Sequence, residues 1–168
     1  MDVCFLDVQG LRGKDGEFVW KEVGILKSPF ECTFDYLVKP PYGLHLLSEK
    51  YRRVNYWLRA NKHGLSWENG WVPYEKLGDL LYSVLVNENV YVKGTEKTKW
   101  LEKCIGEKRM STLTVDNIEE FGCPKLESVK LSVEKKKCRE HSESKNVNKA
   151  CAIENVWKMY HFYCNREK

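Results

Sequence analysis

Three extended runs separated only by turn chemistry open this sequence, and that start limits the chain to folds built on an antiparallel meander. Residues 3–8 (VCFLDV) form an apolar run broken by one acid, Asp7, and stopped by Gly10, the pattern of a buried strand with a carboxylate at its C-terminal end. Open sheets place their sites at that end. Lys14, Asp15 and Gly16 are turn residues, and the alternation from Glu17 to Leu26 predicts the second strand of a hairpin. Glu22 shares a face of that strand with Phe18 and Trp20. A third run, residues 31–39, ends at Pro40 and Pro41, which cannot continue a ladder.

The pattern then changes to alternating helix and strand. Residues 48–58 place Tyr51, Val54, Trp57 and Leu58 at helical spacing, with Ser48 as N-cap and Gly64 as stop. Residues 73–86 repeat the helical pattern, residues 89–93 form a short strand, and residues 95–105 a helix capped by Thr95. Residues 111–115 predict a fifth strand. Residues 124–150 are a polar insertion poor in large apolar groups, and residues 152–163 close the chain as a helix burying Ile153, Val156, Trp157, Tyr160 and Phe162.

With 168 residues and 42% hydrophobic content, this pattern amounts to one domain, 1–168, with a core of its own. The excess of 28 basic over 24 acidic residues permits a nucleic-acid partner without requiring one. No apolar run is long enough to span a membrane, and the start shows neither a basic leader nor a cleavage site, so the expected location is intracellular, cytoplasmic or nuclear. Seven cysteines scattered singly fit reduced thiols and a metal site better than a disulfide framework.

Cys138 and His141, followed by Cys151, place three zinc-compatible donors at usable spacings. A closed tetrahedral site needs a fourth. Glu22, on a strand that should be buried, is one candidate, and Cys123 before Pro124 is the other. Elsewhere, Tyr51, Tyr56, Trp57, Trp67, Trp71 and Tyr74 interleave with Arg52, Arg53, Arg59, Lys62 and His63, a composition able to stack bases and contact phosphates if half of it is not core. Trp67 and Trp71 are expected to anchor their own turn. Lys135, Lys136 and Lys137 read as a solvated charge run.

The element order resembles a ribonuclease H-like fold: α/β, with a mixed five-stranded sheet of meander plus parallel strands, flanked by helices. Within it, Asp7-Val-Gln9-Gly10 resembles the first motif of the DEDDh exonucleases, Asp-x-Glu at the end of strand one. Residues 92–101 (VKGTEKTKWL) resemble their second motif, and residues 150–156 (ACAIENV) the third, which carries a His base and an acid. The resemblance implies a two-metal nuclease site, yet Gln9, Lys97 and Asn155 stand where it has acids, and Ala150 where it has the base. Only Asp7 is retained. Hard divalent cations need anionic oxygen ligands, so the vestigial positions Asp7, Gln9, Lys97, Ala150 and Asn155 predict lost catalysis. The ammonium of Lys97 is expected to take the space of a lost metal and pair with Asp7.

Two groups of this fold carry a Glu-Cys-His-Cys zinc site: the Maelstrom domain of animal transposon silencing and, more distantly, the exonuclease domain of arenavirus nucleoproteins. Glu22, Cys138, His141 and Cys151 match that arrangement. What the resemblance implies is a structural Zn²⁺ and a non-catalytic module for single-stranded RNA or DNA, or for a protein partner in a piRNA-type or related RNA pathway. The alternatives are a metal-independent or residual ribonuclease, and a domain that binds protein only.

Overall fold

The computed structural model describes residues 2–131 and 150–166. β1 (Val3–Arg12), β2 (Phe18–Lys27) and β3 (Cys32–Leu37) form the antiparallel meander. β4 (Asn89–Val92) pairs parallel with β1, and β5 (Thr114–Asn117) parallel with β4, which completes a five-stranded mixed sheet in the order β3-β2-β1-β4-β5. Parallel pairing requires crossovers, and α1 (Glu49–Leu58), α2 (Leu77–Leu85), α3 (Thr95–Ile105) and the short α4 (Glu107–Met110) supply them. α5 (Ala152–Asn165) ends the chain.

β1 runs through Gly10 instead of stopping there. The register slips between Gln9 and Gly10, and a side chain at position 10 would collide with the Phe18 ring and the Val19 carbonyl. The glycine therefore marks a bulge with close backbone approach, the other meaning of Gly in a strand.

Because β1 is central, both of its faces are buried. Cys4, Leu6 and Val8 pack with Val23, Ile25, Leu77, Leu81, Leu85 and Leu101 on the α2 and α3 side. On the opposite side Phe5 packs with Leu26, Val156 and Met159 of α5. Each such side chain contributes about 1.5–3 kcal/mol on burial. Asp7 and Gln9 follow Phe5 on the α5 face, opposite Gly24 and Glu22 of β2, so Glu22 does not share a face with Phe18 and Trp20 as the alternation predicts: those two pack on the α2 and α3 side, and the bulge opposite Lys21 breaks the alternation. Gly24 is needed there, since a Cβ would lie 2.7 Å from the Ala152 carbonyl carbon. The missing side chain lets α5 begin directly on the sheet.

A third cluster, Leu11, Val19, Leu47 and Trp67, fills the far end of the hairpin, and the Trp67 indole Nε1–H donates to the Tyr42 carbonyl at 2.9 Å. Trp67 thus anchors its segment as expected, whereas Trp71 is 55% exposed. β5 begins three residues later than its predicted start, with α4 before it. Ser48 makes no side-chain cap, and Gly94 rather than Thr95 stands at the N-cap of α3. Among the described residues, no helix is long and apolar enough to cross a membrane.

Candidate functional site

Asp7 sits in the middle of β1 rather than at its C-terminal end, because the strand continues to Arg12, and with no exposed surface its carboxylate needs partners inside the protein. It has two. The Lys97 ammonium, in the first turn of α3, donates to Oδ1, and the Asn155 side-chain Nδ2 donates to Oδ2 at 2.8 Å. The expected pairing of Lys97 with Asp7 is therefore present. Three elements converge to make it: β1 carries Asp7, α3, which follows β4 beside β1, brings Lys97 in its first turn, and α5, on the opposite side of the sheet from the body of α3, brings Asn155. Every oxygen of the retained acid is occupied, one by a cation and one by an amide.

A cleft of about 840 Å³ opens beside this group, lined by Gln9, Lys97, Ala150 and Asn155, with Asn61 and Lys62 from the end of the first helix. Four of the five positions that the resemblance aligns with nuclease residues thus line one cleft, and the fifth, Asp7, is bonded to two of them. Lys93, Lys125 and Lys158 add cations at the rim, and Glu96, Glu119, Glu127 and Glu154 add acids. Lys93 pairs with Glu119 at 3.0 Å and Lys158 with Glu154 at 3.3 Å. The Ala150 amide donates to the Lys62 carbonyl at 2.8 Å, which ties the start of the last segment to the first helix. Lys62 belongs to the basic set that the sequence interleaves with aromatics, whereas Lys125 and Lys158 carry no motif signal and only the fold identifies them as lining residues.

Of the four expected zinc ligands, Cys138 and His141 lie outside the described residues. Glu22 and Cys151 are described, are buried, and lie at one junction: Glu22 Oε1 accepts the Ala152 amide at 2.6 Å, one residue past Cys151, which is the N-cap of α5. A carboxylate at a helix N-terminus satisfies an orphan amide and faces the positive end of the helix dipole. Glu22 therefore has a capping role of its own. One carboxylate oxygen and one thiol, brought together in a buried site, also fit the mixed donor set that zinc accepts. Among the described residues no group of three or more His, Cys, Asp or Glu is positioned to hold a metal. Cys123, the other candidate for the fourth position, packs in the apolar cluster around Phe5 and Met159, where burial pushes its thiol pKa up.

The aromatic and basic residues of 51–74 divide sharply. Trp67 is buried and Tyr74 half-buried, its hydroxyl bonded to the Trp20 amide at 3.2 Å, whereas Tyr56 and Trp57 are exposed. His63 is not a phosphate contact. It is fully buried: its Nδ1 accepts the Leu65 amide at 3.0 Å, so the Nε2–H donates to the Gly10 carbonyl at 2.9 Å, bracing the bulge.

Lys21 carries no motif, and its setting emerges only in the fold. Its side chain is fully buried, and Nζ donates to the carbonyls of Val38, Trp67 and Asn69 at 2.6, 2.9 and 2.5 Å. Burial lowers its pKa to about 8, with Glu68 opposing. A scan against protein-family models finds no match to this chain, and a search of curated proteins finds no significant relative.

Proposed function

We propose that this chain is a catalytically inactive, ribonuclease H-like module, derived from a DEDDh-type exonuclease frame, that binds single-stranded RNA or DNA in the cleft beside Asp7. One observation carries the reading: Lys97 and Asn155 occupy both oxygens of the only retained acid. A two-metal nuclease needs several anionic oxygens at this point, and here the site presents an ammonium and two amides instead. The sheet order with β1 central, and the gathering of Gln9, Lys97, Ala150 and Asn155 on one cleft wall, support descent from such a frame. An ammonium facing a groove retains affinity for phosphates while lacking any means to activate water. By resemblance, the setting is a transposon-silencing or related RNA pathway inside the cell, in cytoplasm or nucleus.

The same reading includes a structural Zn²⁺ held by Glu22, Cys138, His141 and Cys151. When bound, it cross-links the start of α5 to β2. The junction of Glu22 with α5 supports this placement. Elemental analysis of metal-replete protein is expected to find one zinc per chain, and Cys151→Ser to unfold the domain, since structural zinc contributes on the order of 10 kcal/mol. Stoichiometric absence of zinc rejects this part.

The function itself is tested with labelled single-stranded RNA and DNA, with and without Mn²⁺. The expected outcome is binding without cleavage, weakening steeply as salt rises. Metal-stimulated trimming overturns the inactive reading. No measurable affinity at low salt overturns the nucleic-acid reading in favour of a protein partner.

A further inference from the structure

The helix α1 is turned inside out relative to its sequence pattern. The apolar residues at helical spacing, Tyr51, Val54, Trp57 and Leu58, predict a buried stripe, yet Val54 is 37% and Trp57 58% exposed, Tyr51 and Leu58 are half-buried, and the one buried residue of the helix is Asn55; Tyr56, off that stripe, is 75% exposed. Asn55 docks the helix: its Oδ1 accepts the Arg12 amide at 2.7 Å and its Nδ2 donates to the Arg12 carbonyl at 2.8 Å. Leu58 adds an apolar contact to the third cluster. The outward residues therefore do not hold the fold together.

Charge is concentrated on the same surface. Residues 49–63 contain five basic residues and one acid, a net of +4, and the whole chain has 28 minus 24, also +4. The remainder of the protein is neutral in sum. Arg52 and Arg53 precede the exposed aromatic pair and Arg59 follows it, and all three are exposed. Arg53 is paired with Glu49 at 2.6 Å, but both side chains are more than two-thirds exposed, so this pair is weak and free to exchange for a phosphate. The surface is continuous with the cleft: the Asn61 side chain donates to the Trp57 carbonyl at 3.0 Å, and Asn61 and Lys62 line the cleft wall.

Resting on the nucleic-acid reading of that cleft, we propose that the outer face of α1 is a stacking platform for single-stranded nucleic acid, with Tyr56 and Trp57 taking bases, Arg52, Arg53 and Arg59 taking phosphates, and Lys62 passing the strand to the cleft. Arg53 to Lys62 spans roughly 13 Å of helix axis, the scale of a few nucleotide steps. An aromatic pair bracketed by arginines and joined to a lysine-rimmed cleft complements a phosphate chain with unpaired bases better than a protein surface, whose contact would need an apolar centre.

The experiment is fluorescence anisotropy with labelled 12-nucleotide oligo(U) and oligo(dT), using the whole chain. Tyr56→Ala/Trp57→Ala is expected to weaken binding tenfold or more with the salt slope unchanged, and Trp57→Phe to retain most of the affinity. Arg53→Ala/Arg59→Ala is expected to reduce the slope of log affinity against log salt by about two. A duplex of the same length should bind more weakly, because its bases are already stacked. Thermal melting within a few degrees of the parent confirms that each variant folds. If the wild-type chain binds but the double aromatic variant binds equally well, while Lys125→Glu in the cleft abolishes binding, the platform is refuted and the cleft reading stands. If no oligonucleotide binds the wild-type chain, both fall together. Equal affinity for duplex and single strand, or loss of the aromatic pair affecting only binding to an acidic protein or to anionic vesicles, also refutes the platform.

Discussion

Asp7 and Lys21 are charged side chains without exposed surface on neighbouring strands, yet the fold neutralises them by opposite means. Asp7 is met by side chains, Lys97 and Asn155, which are 90 and 148 residues away in sequence. Lys21 is met by three backbone carbonyls, from Val38, Trp67 and Asn69. A charge satisfied by side chains can lose or change its partners by mutation, which is how a catalytic centre can become a structural one. A charge satisfied by backbone has no such freedom. Its three donors match three acceptors fixed by the path of the chain, and it pins the loop carrying Trp67 to the end of the meander.

The largest effect that separates the two is expected at Lys21. Lys21→Met keeps the apolar stem but leaves the buried carbonyls of Val38 and Trp67 and the partly buried one of Asn69 without their lysine donor, a buried one costing roughly 1–3 kcal/mol. A loss of about 4 kcal/mol is expected, read as a drop in denaturant midpoint, and no second side-chain substitution should restore it. Recovery of stability in any Lys21→Met double variant at a neighbouring side chain would erase the distinction.

Lys97→Ala should cost somewhat less, about 3 kcal/mol, because it leaves Asp7 buried and facing only Asn155. Here a partner exists to be removed. Asp7→Asn combined with Lys97→Met should recover most of the loss, giving a coupling energy above about 1 kcal/mol in a double-mutant cycle. Additive losses would mean that the ion pair is incidental to the packing around it.

The contrast also bears on what the sequence could reveal. Asp7 was legible because an acid within an apolar strand run is unusual, and the resemblance to a motif set gave the expectation that Lys97 pairs with it; that Asn155 takes the other oxygen is seen only in the fold. The order of strands and helices was legible for a similar reason: periods of two and 3.6 leave clear traces in alternating segments. Lys21 left none, since a lysine in a strand ordinarily faces solvent and its partners are carbonyls, which every residue possesses. α1 shows the other limit. Periodicity identified Val54 and Trp57 as sharing a face, but the inward side is set by Asn55, whose hydrogen bonds to Arg12 are invisible to a hydrophobic pattern. Of the four residues in the zinc proposal, the fold describes only Glu22 and Cys151, at the start of α5, and Cys138 and His141 lie outside the described residues.

Alkaline titration sharpens the comparison further. Burial lowers Lys21 to about 8, against roughly 10.4 in an unfolded chain, so between those values the unfolded state binds the extra proton and this residue makes stability rise with pH. Burial acts oppositely on the acids: it pushes Cys4 and Tyr74 up to about 12 and Cys104 up to about 11. Their contribution is complete below about 9, the ordinary thiol value, and is lost as pH climbs towards those folded values. Two thiols and a phenol outweigh one amine, so stability should fall above pH 9 by about 1–2 kcal/mol per pH unit. Lys21→Met removes the opposing contribution and should steepen that fall.

The smallest expected effect tests most directly whether the Asp7 centre descends from a metal site. Gln9→Glu, Lys97→Asp and Asn155→Asp together would gather three further carboxylates around Asp7. In chelator the triple variant should be less stable than the parent, because like charges converge on a buried acid. Hard divalent cations bind such oxygen clusters, and a ligand at ten times its dissociation constant stabilises the folded state by roughly 1.4 kcal/mol. Millimolar Mn²⁺ should therefore raise the melting temperature of the triple variant by a few degrees and leave the parent unmoved. If the triple variant gains nothing from Mn²⁺ while remaining folded, the geometry around Asp7 is not that of a displaced metal centre, and the resemblance to the nuclease frame loses its strongest support.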